Sequence, residues 1–568
     1  MTHFPPGSLG LLFLTAALGG CALEAADSPD GIDDQGVVPG GKADGSDYSA
    51  CELSAVVDWL NGGISADDIK GAGVHRRAAD HIVQRRDGAD GMYGTADDEP
   101  FEDIAAVDRV PYVGTVAIRQ LAAAVADRCT ASPSQAEVIM SPQAYGESHH
   151  ARIASLIDGA ERSIDVAMYS YSDPTIREAL GRASARGVMV RFLFDGASAD
   201  RTAPAGTPSA ALEDLGIEVR WVNKIMHHKF AIIDGARTEL AQASGGTLVT
   251  GSGNWSNSAA TRYDENTLVL QGNVELNLRY QREFNHLWDN GRLVVWNETI
   301  PAVPHVAIAD SDIADDPSVD AVFTSANFSV SNSVRNGPTF SVIRGENEIA
   351  DTWVRLIQSA RRSIRIASGH LRSRAVAEAL VAARNANPEL DIRVYLDDQE
   401  YLSESSHDIQ VRDLDACLAA AATDAARQDC NDRGFLFSYQ MHLEGIALRY
   451  KYYAYRWDYS YAPQMHHKYM IIDEEILVTG SYNLSDNAEH ATMENDAILR
   501  GAAFQSVIDG YVDNFDHLWV TGEEAGLYTS LMDDVQNGTG SFPIVFDAMA
   551  LDWAQVPARK HAIRAACP

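Results

Sequence analysis

Two nine-residue stretches decide how this chain is organised: Met226–Asp234 reads MHHKFAIID, and Met465–Asp473 reads MHHKYMIID. Each places a histidine and a lysine two residues apart, in front of an apolar run that ends at an aspartate. The first histidines of the two copies, His227 and His466, are about one domain length apart. A repeat at this spacing indicates an internal duplication.

Further matches follow each copy in the same order. The segment LVTGSGN ends at Asn254, and the segment LVTGSYN ends at Asn483. Eleven residues after each asparagine comes a Glu-Asn pair, which begins at Glu265 in one copy and at Glu494 in the other. Both copies then close on a similar tail, FNHLW or FDHLW. A series this long predicts that both copies serve one chemistry.

The sequence around each copy alternates between helical and extended patterns. Helices are predicted over 173–186 and 375–385, and apolar strands follow over 188–194 and 392–396. Alternating strands and helices are typical of mixed sheets with helices on both faces. The predicted fold class is therefore α/β, with two repeats that each form a mixed sheet flanked by helices, plus a small N-terminal α-helical module.

The residue types in the repeated motif point to phosphodiester chemistry. On a strand, His227 and Lys229 would face the same side, so an imidazole and an ammonium would enter one cavity. Two copies facing each other would bind a tetrahedral anion and supply a nucleophile and a general acid without a metal. A carboxylate such as Glu265 or Glu494 could hold the imidazole Nδ1–H and fix the tautomer.

The paired HxKxxxxD and GSxN motifs resemble those of the phospholipase D superfamily, and the resemblance covers about residues 138–519. It implies a two-step phosphodiester transfer through a covalent phosphohistidine, with water or an alcohol as the second acceptor and with no cofactor. By this resemblance His227 is the nucleophile, and His466 is the acid that protonates the leaving alcohol and later the base that activates water.

The resemblance also implies roles for the other motif residues. The groups expected to hold the non-bridging phosphate oxygens, or to support those that do, are Lys229, Lys468, Asn254, Asn483, Ser252 and Ser481. Two carboxylates, Asp234 and Asp473, are expected to be mostly structural. The other two, Glu265 and Glu494, are expected to orient the histidines. Together with the two histidines, these residues form the predicted site, and they include no metal ligand.

Two insertions distinguish the copies. Sixteen residues separate Asp234 from Gly251, against six between Asp473 and Gly480, so 235–246 is predicted to form an extended hairpin or loop. Before His466 lies a longer aromatic insertion. It suits a membrane interface, base stacking in a nuclease groove, or a loop packed on the core, and these alternatives stay open. Its aromatic residues are Tyr450, Tyr452, Tyr453, Tyr455, Trp457, Tyr459 and Tyr461.

Charge helps to choose between substrates. The chain has 45 Lys and Arg against 80 Asp and Glu, a net charge of −35. This excludes a protein that wraps nucleic acid with a basic surface, although a local cationic pocket remains compatible. We therefore expect hydrolysis of phospholipids to phosphatidic acid and free headgroup. The alternatives are a metal-independent nuclease of the same superfamily, with nucleic acid a disfavoured partner, and a catalytically silent binding module.

The N-terminus predicts export. An apolar run at 9–18 is too short to span a bilayer and is followed by Cys21 in the sequence LGGC, which resembles a bacterial lipobox. Cys21 is predicted to be lipidated, which would anchor the protein in the bacterial cell envelope. A plain secretory signal, giving a secreted protein, and a wrongly assigned start are the alternatives.

The segment after this anchor resembles a pair of helix-hairpin-helix motifs, with Gly-containing turns at 69–74 and 110–114. Because it holds 8 Lys and Arg against 14 Asp and Glu, a packing or protein-binding role is preferred over DNA binding. The predicted parts are a signal peptide at 1–20, a flexible linker at 21–50, this module at 51–130, repeat 1 at 131–300, repeat 2 at 316–535 and a C-terminal tail at 536–568. We expect a monomer in which the repeats form an intramolecular pseudo-dimer.

The cysteine pattern predicts disulfides rather than a metal site. In an exported protein Cys51 can pair with Cys129, and Cys417 with Cys430, which leaves Cys567 odd. No CxxC pair with metal-ligand spacing exists in the sequence.

Overall fold

A computed structural model describes residues 50–95, 97–129, 135–294, 304–314, 316–335, 337–431, 435–453, 462–537 and 547–559. The predicted signal peptide, the linker and Cys21 lie outside the described residues, as does Cys567. Contacts divide the chain into two compact units, one built from the helices up to Ala126 and one from Asp127 onward. Over the described residues, no helix is both long and apolar enough to cross a membrane.

The first unit is a small helical domain around its own apolar core. Its helices are α1 Ala50–Asn61, α2 Ala66–Gly71, α3 Arg76–Arg86, α4 Ile104–Asp108 and α5 Thr115–Cys129. The predicted turns fall between α2 and α3 and between α4 and α5. In the first turn Gly73 takes a φ of +91°, and in the second Tyr112 takes a φ of +68°, although a tyrosine rarely adopts this left-handed region.

Repeat 1 is an eight-stranded mixed sheet covered by helices. Its strands are β1 Gln135–Ser141, β2 Ser163–Met168, β3 Met189–Phe194, β4 Glu218–Trp221, β6 Lys229–Ile233, β7 Thr247–Gly251, β8 Glu265–Gln271 and β9 Arg292–Leu293, with β5 Ile225–Met226 outside this sheet. Its helices are α6 His149–Gly159, α7 Pro174–Ala185, α8 Ala197–Asp200, α9 Pro208–Glu213, α10 Asn257–Thr261 and α11 Val274–Asp289. The strand order is β1-β8-β7-β6-β2-β3-β4-β9. Strands β2, β3 and β4 run parallel, and the other pairs are antiparallel.

Repeat 2 builds the same sheet again. Its strands are β10 Val319–Phe323, β13 Ser363–Ser368, β14 Asp391–Asp397, β15 Ala447–Tyr452, β16 Lys468–Ile472, β17 Ile476–Gly480, β19 Asn495–Arg500 and β20 Met549–Asp552. A separate hairpin consists of β11 Phe328–Ser333 and β12 Gly337–Val342, and β18 Thr492–Met493 pairs with β5 of repeat 1. Its helices are α12 Glu348–Ser359, α13 Arg374–Ala386, α14 Glu404–Ala420, α15 Asp424–Asn431, α16 Ser438–Leu443, α17 Asp486–Ala491, α18 Gln505–Trp519 and α19 Leu527–Asn537. The strand order, β10-β19-β17-β16-β13-β14-β15-β20, matches repeat 1 position by position and confirms the predicted fold class.

The apolar residues of the repeated motif explain why the two sheets lie face to face. Strands β6 and β16 are buried along their whole length, because one side of each faces its own repeat's helices and the other faces the opposite repeat. Each repeat also has an apolar core of its own, on the face of the sheet that points away from the other repeat. Between the repeats, α11 and α18 close a shared core in which Phe230 and Tyr280 of repeat 1 meet Tyr469 and Tyr511 of repeat 2. The duplication therefore folds as one pseudo-dimeric body.

The structure corrects one predicted boundary. Residues 536–568 were expected to form a tail, but β20 lies within them and pairs with β15 as the last strand of the repeat 2 sheet. In repeat 1 the equivalent strand β9 follows α11 almost directly, whereas α19 intervenes in repeat 2. A four-residue strand at that distance carries no periodic signal. The 235–246 insertion contains a 3₁₀ helix at Leu240–Gly245, within the predicted loop region.

One predicted disulfide lies within the described side chains. Cys417 and Cys430 are bonded, with their Cα atoms 5.8 Å apart, and the bond joins α14 to α15. The side chains of Cys51 and Cys129 lie outside the described part of the structure.

Candidate active site

The two histidine motifs meet where each repeat exchanges backbone hydrogen bonds with the other. Strand β5 pairs in parallel with β18, and the His227 N–H donates to the Met493 carbonyl at 3.1 Å. In the same way the His466 N–H donates to the Asp264 carbonyl at 3.0 Å. Each motif histidine is thus fixed beside the residue that precedes the glutamate of the opposite repeat. This arrangement brings both imidazoles into one cleft.

The glutamates hold the histidines across the repeat boundary. His227 Nδ1 lies 2.8 Å from the Glu494 carboxylate, and His466 Nδ1 lies 2.8 Å from Glu265 Oε1. Both carboxylates are fully buried. Each contact thus joins a ring nitrogen of one repeat to a buried carboxylate of the other. Because Nδ1 of each ring faces a carboxylate, Nε2 is the nitrogen left for chemistry in the cleft.

The motif lysines are the first residues of β6 and β16. Lys229 Nζ donates to the His227 carbonyl at 2.7 Å, and Lys468 Nζ donates to the His466 carbonyl at 2.9 Å. Lys468 Nζ also lies 3.2 Å from each ring nitrogen of His466. Burial lowers the pKa of Lys229 to about 7 and that of Lys468 to about 8. Two buried amines with such pKa values favour an anionic occupant, which would restore their full charge.

The acidic residues that end the motifs have a different position. Asp234 has a φ of +52°, and its carboxylate accepts backbone N–H groups from Glu161, Arg162 and Ser163 at 2.6 to 2.9 Å. Asp473 has a φ of +54° and accepts the corresponding N–H groups of repeat 2. These carboxylates therefore tie the turn after the motif strand to the start of β2 or β13, at the end of the strand that faces away from the histidines.

The predicted serines lie just behind the cleft. Ser481 Oγ donates to the Glu494 carboxylate at 2.6 Å, and Ser252 Oγ donates to Asn266 Oδ1 at 3.1 Å. Both hydroxyls are fully buried, so they act on the residues that position the histidines. Asn254 is almost buried, and Asn483 is half-buried.

Asn266 and Asn495, the second residues of the two Glu-Asn pairs, form a symmetric network between the repeats. Asn266 Nδ2 donates to Thr479 Oγ1 at 2.7 Å and to the Tyr511 hydroxyl at 3.0 Å, and its Oδ1 faces His467 Nδ1. Asn495 makes the same set of contacts in the other direction, to Thr250, Tyr280 and His228. Both asparagines are fully buried. The second histidine of each HHK sequence is therefore part of the interface between the repeats.

The loop that carries Asn254 is held by two buried histidines. The Nε2 atoms of His149 and His150 lie 3.1 and 3.0 Å from the Asn254 carbonyl oxygen. His150 Nδ1 lies 3.0 Å from Asp173 Oδ2, and Tyr145 donates its hydroxyl to the same carboxylate. The His150 ring therefore links the backbone of the Asn254 loop to the Asp173 carboxylate. No sequence motif pointed to this pair.

The electrostatics of the two halves differ. Burial raises the pKa of Glu494 to about 7, against the opposing charge of Lys229. Burial acts in the same direction on Glu265, but His466 and Lys468 outweigh it and hold the pKa of that carboxyl below its ordinary value. Burial, followed by the charge of Lys229, lowers the pKa of His227 well below its ordinary value. His466 therefore has an ionised partner at neutral pH, whereas His227 has a partner that is partly neutral.

Side chains at the mouth of the cleft add to this difference. The half-exposed Tyr169 ring lies beside His227 and Lys229. Its centroid is 4.6 Å from the centroid of the His227 ring and 5.2 Å from Lys229 Nζ. Repeat 2 has Gly369 in this position, and a Cβ there would lie 2.8 Å from the Met465 carbonyl oxygen. Of the aromatic insertion, Tyr450, Tyr452 and Tyr453 are buried, and Tyr455–Tyr461 lies outside the described residues.

The structure thus brings the predicted histidines, lysines, serines and glutamates together and leaves the two aspartates at the far end of the motif strands. Across the described residues, no group of three or more His, Cys, Asp and Glu side chains is arranged to hold a metal ion. The class that the fold and the site define is a single-chain pseudo-dimer with one cleft of histidines and lysines, suited to phosphodiester chemistry.

Comparison with known families gives the particular assignment. The family model described as "Cardiolipin synthase, PLD-like domain" matches residues 153–288 and 353–519, which is more than half of the chain. This protein therefore belongs to the phospholipase D-like domain family.

Among curated proteins, the chain is similar to mitochondrial cardiolipin hydrolases. It is 32% identical to the one from Xenopus tropicalis over 149 residues, 26% of this chain and 64% of that protein. It is 31% identical to the one from Homo sapiens over 147 residues, 26% of this chain and 53% of that protein. The chain thus covers less than two thirds of either relative.

Two solved structures are also similar to this chain. One is the phospholipase D family member Nuc from Salmonella typhimurium, at 27% identity over 28% of this chain and 97% of that one, with a TM-score of 0.23. The other is phosphatidylserine synthase from Haemophilus influenzae, at 12% identity over 68% of this chain and 89% of that one, with a TM-score of 0.42.

Proposed function

We propose that this protein is a phospholipase D-type hydrolase that converts phospholipids to phosphatidic acid and a free headgroup. The observation that carries the proposal is the crossed pairing of His227 with Glu494 and of His466 with Glu265. It leaves two Nε2 atoms and two lysine amines for a single phosphodiester. Such a set supplies a nucleophile, an acid and charge stabilisation without a metal.

The first step forms a phosphohistidine. His227 Nε2 attacks phosphorus with its lone pair, the bond from phosphorus to the headgroup oxygen breaks, and His466 Nε2–H gives its proton to that oxygen. Lys229 and Lys468 neutralise the non-bridging oxygens, together with Asn254 and Asn483.

The second step restores the enzyme. His466 Nε2 takes a proton from water as the water oxygen attacks phosphorus, and the bond from phosphorus to His227 Nε2 breaks. Phosphatidic acid leaves, and His466 again carries the proton that the next headgroup requires. Water supplies the oxygen, so no other reactant is needed.

The difference between the glutamates supports this order of roles. A nucleophile must be neutral, and the lowered pKa of His227 keeps its ring unprotonated. A general acid must carry a proton while substrate is bound. Burial lowers the pKa of His466 to about 4, and the ionised Glu265 acts against this shift by favouring the imidazolium. An arriving phosphodiester adds a second negative charge beside the ring, and we expect this charge to raise the pKa of His466 so that it carries the proton when substrate is bound.

Several observations support a phospholipid as the substrate. The curated relatives are named for hydrolysis of cardiolipin, a phospholipid. A net charge of −35 disfavours a long polyanion such as DNA. The proposed lipidation at Cys21 would place an exported protein beside a bilayer in the cell envelope. Together these features favour a membrane lipid over nucleic acid.

The test is mass spectrometry of mixed phospholipid vesicles incubated with residues 22–568, beside the same protein carrying His227→Ala. We expect phosphatidic acid with the unmutated protein alone, at a rate that EDTA leaves unchanged. Intact lipids, together with cleavage of single- or double-stranded DNA that depends on His227, would replace the proposal with a nuclease. Loss of turnover in EDTA that Ca²⁺ restores would contradict the metal-free mechanism.

A further inference from the structure

We propose that the β11–β12 hairpin and the neighbouring Ile225 form a docking surface for an anionic phospholipid bilayer, next to the cleft. The hairpin surface is defined by the apolar residues Ile225, Val334, Val342 and Ile343 and the basic residues Arg335 and Arg344. This inference rests on the proposed function, because it names the surface that would deliver the phospholipid.

The hairpin is fastened to the chain that leads into the first histidine motif. Asn223 Nδ2 donates to the Phe340 carbonyl at 3.0 Å, and the Phe340 N–H donates to Asn223 Oδ1 at 2.7 Å. Lys224 Nζ lies 4.6 Å from the centroid of the Phe328 ring. Phe328 and Phe340 are buried, so they anchor the hairpin on the body of the protein. The hairpin is therefore held only a few residues from His227.

The same region exposes apolar side chains to solvent, which is energetically unfavourable. Val334, at the hairpin tip, is fully exposed, and Ile225, Val342 and Ile343 have exposed fractions of 41%, 41% and 38%. Ile225 lies on β5, two residues before His227. Apolar residues grouped beside a cleft are typical of surfaces that bind a partner or a membrane.

Charge selects the partner. One residue in seven of the whole chain is Asp or Glu, yet residues 321–345 contain none and include Arg335 and Arg344. Both arginines are exposed, and among the described residues neither guanidinium forms an ion pair. Exposed apolar tips flanked by unneutralised arginines complement an anionic bilayer, where the tips enter the interface and the arginines meet phosphates. An acidic protein with a net charge of −35 needs such a patch to approach that surface.

The test measures vesicle binding separately from turnover. The full chain carries Cys21→Ser in all samples, so that an acyl anchor contributes nothing. Val334→Asp with Ile343→Asp removes the apolar tips. Ile409→Asp with Leu443→Asp is the matched control, because it places the same charges at other exposed apolar positions, on α14 and α16.

We expect flotation with vesicles of phosphatidylcholine and phosphatidylglycerol to show about tenfold weaker binding for the hairpin pair and unchanged binding for the control pair. Binding of the unmutated chain should fall with added salt or with phosphatidylcholine alone. Hydrolysis of monomeric dihexanoylphosphatidylcholine should be equal in all three proteins, since this substrate needs no bilayer.

Equal vesicle binding by the two mutant pairs would overturn the docking surface. A change of oligomeric state in the hairpin pair, with vesicle binding unchanged, would assign the surface to a second copy and also overturn it. If no protein hydrolyses the monomeric lipid, yet the hairpin pair alone loses vesicle binding, the docking surface stands and the proposed function fails.

Discussion

The two repeats share one sheet but have diverged around the asparagine that follows it. In repeat 1, Gly253 leaves room for His149, whose Nε2 would lie 3.1 Å from a Cβ at this position. In repeat 2 the equivalent residue is Tyr482, which is fully buried. The His149–His150 pair accordingly has Ile349 and Ala350 as its counterparts. The two repeats thus share the motif residues, but the side chains that pack around the asparagine loop differ between them.

The glutamates differ in the same sense. Glu494 beside His227 has its pKa raised to about 7 by burial, whereas the pKa of Glu265 beside His466 lies below its ordinary value. The two histidines occupy equivalent positions, yet their different glutamate partners suit them to different roles in the reaction.

Replacing either histidine should lower activity strongly, but the dependence of the loss on the substrate's leaving group should differ. His227→Ala should lower kcat/KM by about 10⁴-fold or more on every substrate, because no bond to phosphorus can form. His466→Ala should lose about a hundredfold or more in kcat/KM on a phospholipid but far less in kcat/KM on a p-nitrophenyl ester, because kcat/KM reports formation of the phosphohistidine and this leaving group needs no proton. Steady-state kinetics with both substrates measure this, and equal losses on both for His466→Ala would contradict the division of roles.

Neutralising the glutamates should separate the two halves. Glu265→Gln removes an ionised partner of the proposed acid, so we expect about a tenfold to hundredfold loss of kcat. Glu494→Gln replaces a carboxyl that is already partly neutral near pH 7, so its loss should be several times smaller. The comparison is made at pH 7 with melting curves as the folding control. A larger loss for Glu494→Gln would reverse the assignment.

Rising pH should weaken substrate binding. Lys229 and Lys468 have pKa values of about 7 and 8 in the free protein, so they lose their positive charges as pH passes through that range. Since a phosphodiester anion needs both charges, kcat/KM should fall by up to about tenfold between pH 7 and pH 8 and by about a hundredfold per pH unit above pH 8. A pH profile measured on a soluble phosphodiester reports this. A profile that stays flat from pH 7 to pH 10 would show that both amines remain charged.

The His149–His150 pair should position Asn254 without taking part in bond making. His150→Ala removes one hydrogen bond to the Asn254 carbonyl, and we expect about a tenfold loss, mainly in KM. His150→Gln, which keeps a donor, should recover part of it. Steady-state kinetics of the three proteins measure this. Unchanged kinetics for His150→Ala would reduce the pair to packing.

The Cys417–Cys430 bond should matter least to activity. It closes a short loop between α14 and α15, with a sequence separation of 13, and neither helix contributes a residue to the cleft. Cys417→Ser should leave kcat/KM within about twofold and lower the free energy of unfolding by about 3 kcal/mol. Activity assays and chemical denaturation measure the two effects. A large loss of activity would indicate that this helical pair supports repeat 2 more directly.

Sequence patterns predicted the duplicated α/β frame and the content of the cleft, because motif residues and apolar strands leave periodic signals. They did not predict which glutamate serves which histidine, since the crossed pairing arises only when β5 and β18 join the repeats. Nor did they indicate His149 and His150, which lie on α6, about a hundred residues before Asn254. Strand β20 was missed because four residues at the sheet edge carry no pattern.

The most direct test of the account is rapid-quench mass spectrometry of the His466→Ala protein mixed with a p-nitrophenyl phosphodiester. Without the base that activates water, the covalent intermediate should accumulate. We predict a phosphoryl adduct on one residue per chain, mapped by peptide sequencing to His227. An adduct on another residue, or turnover without any adduct in His466→Ala, would contradict the assignment of nucleophile and base to the two repeats.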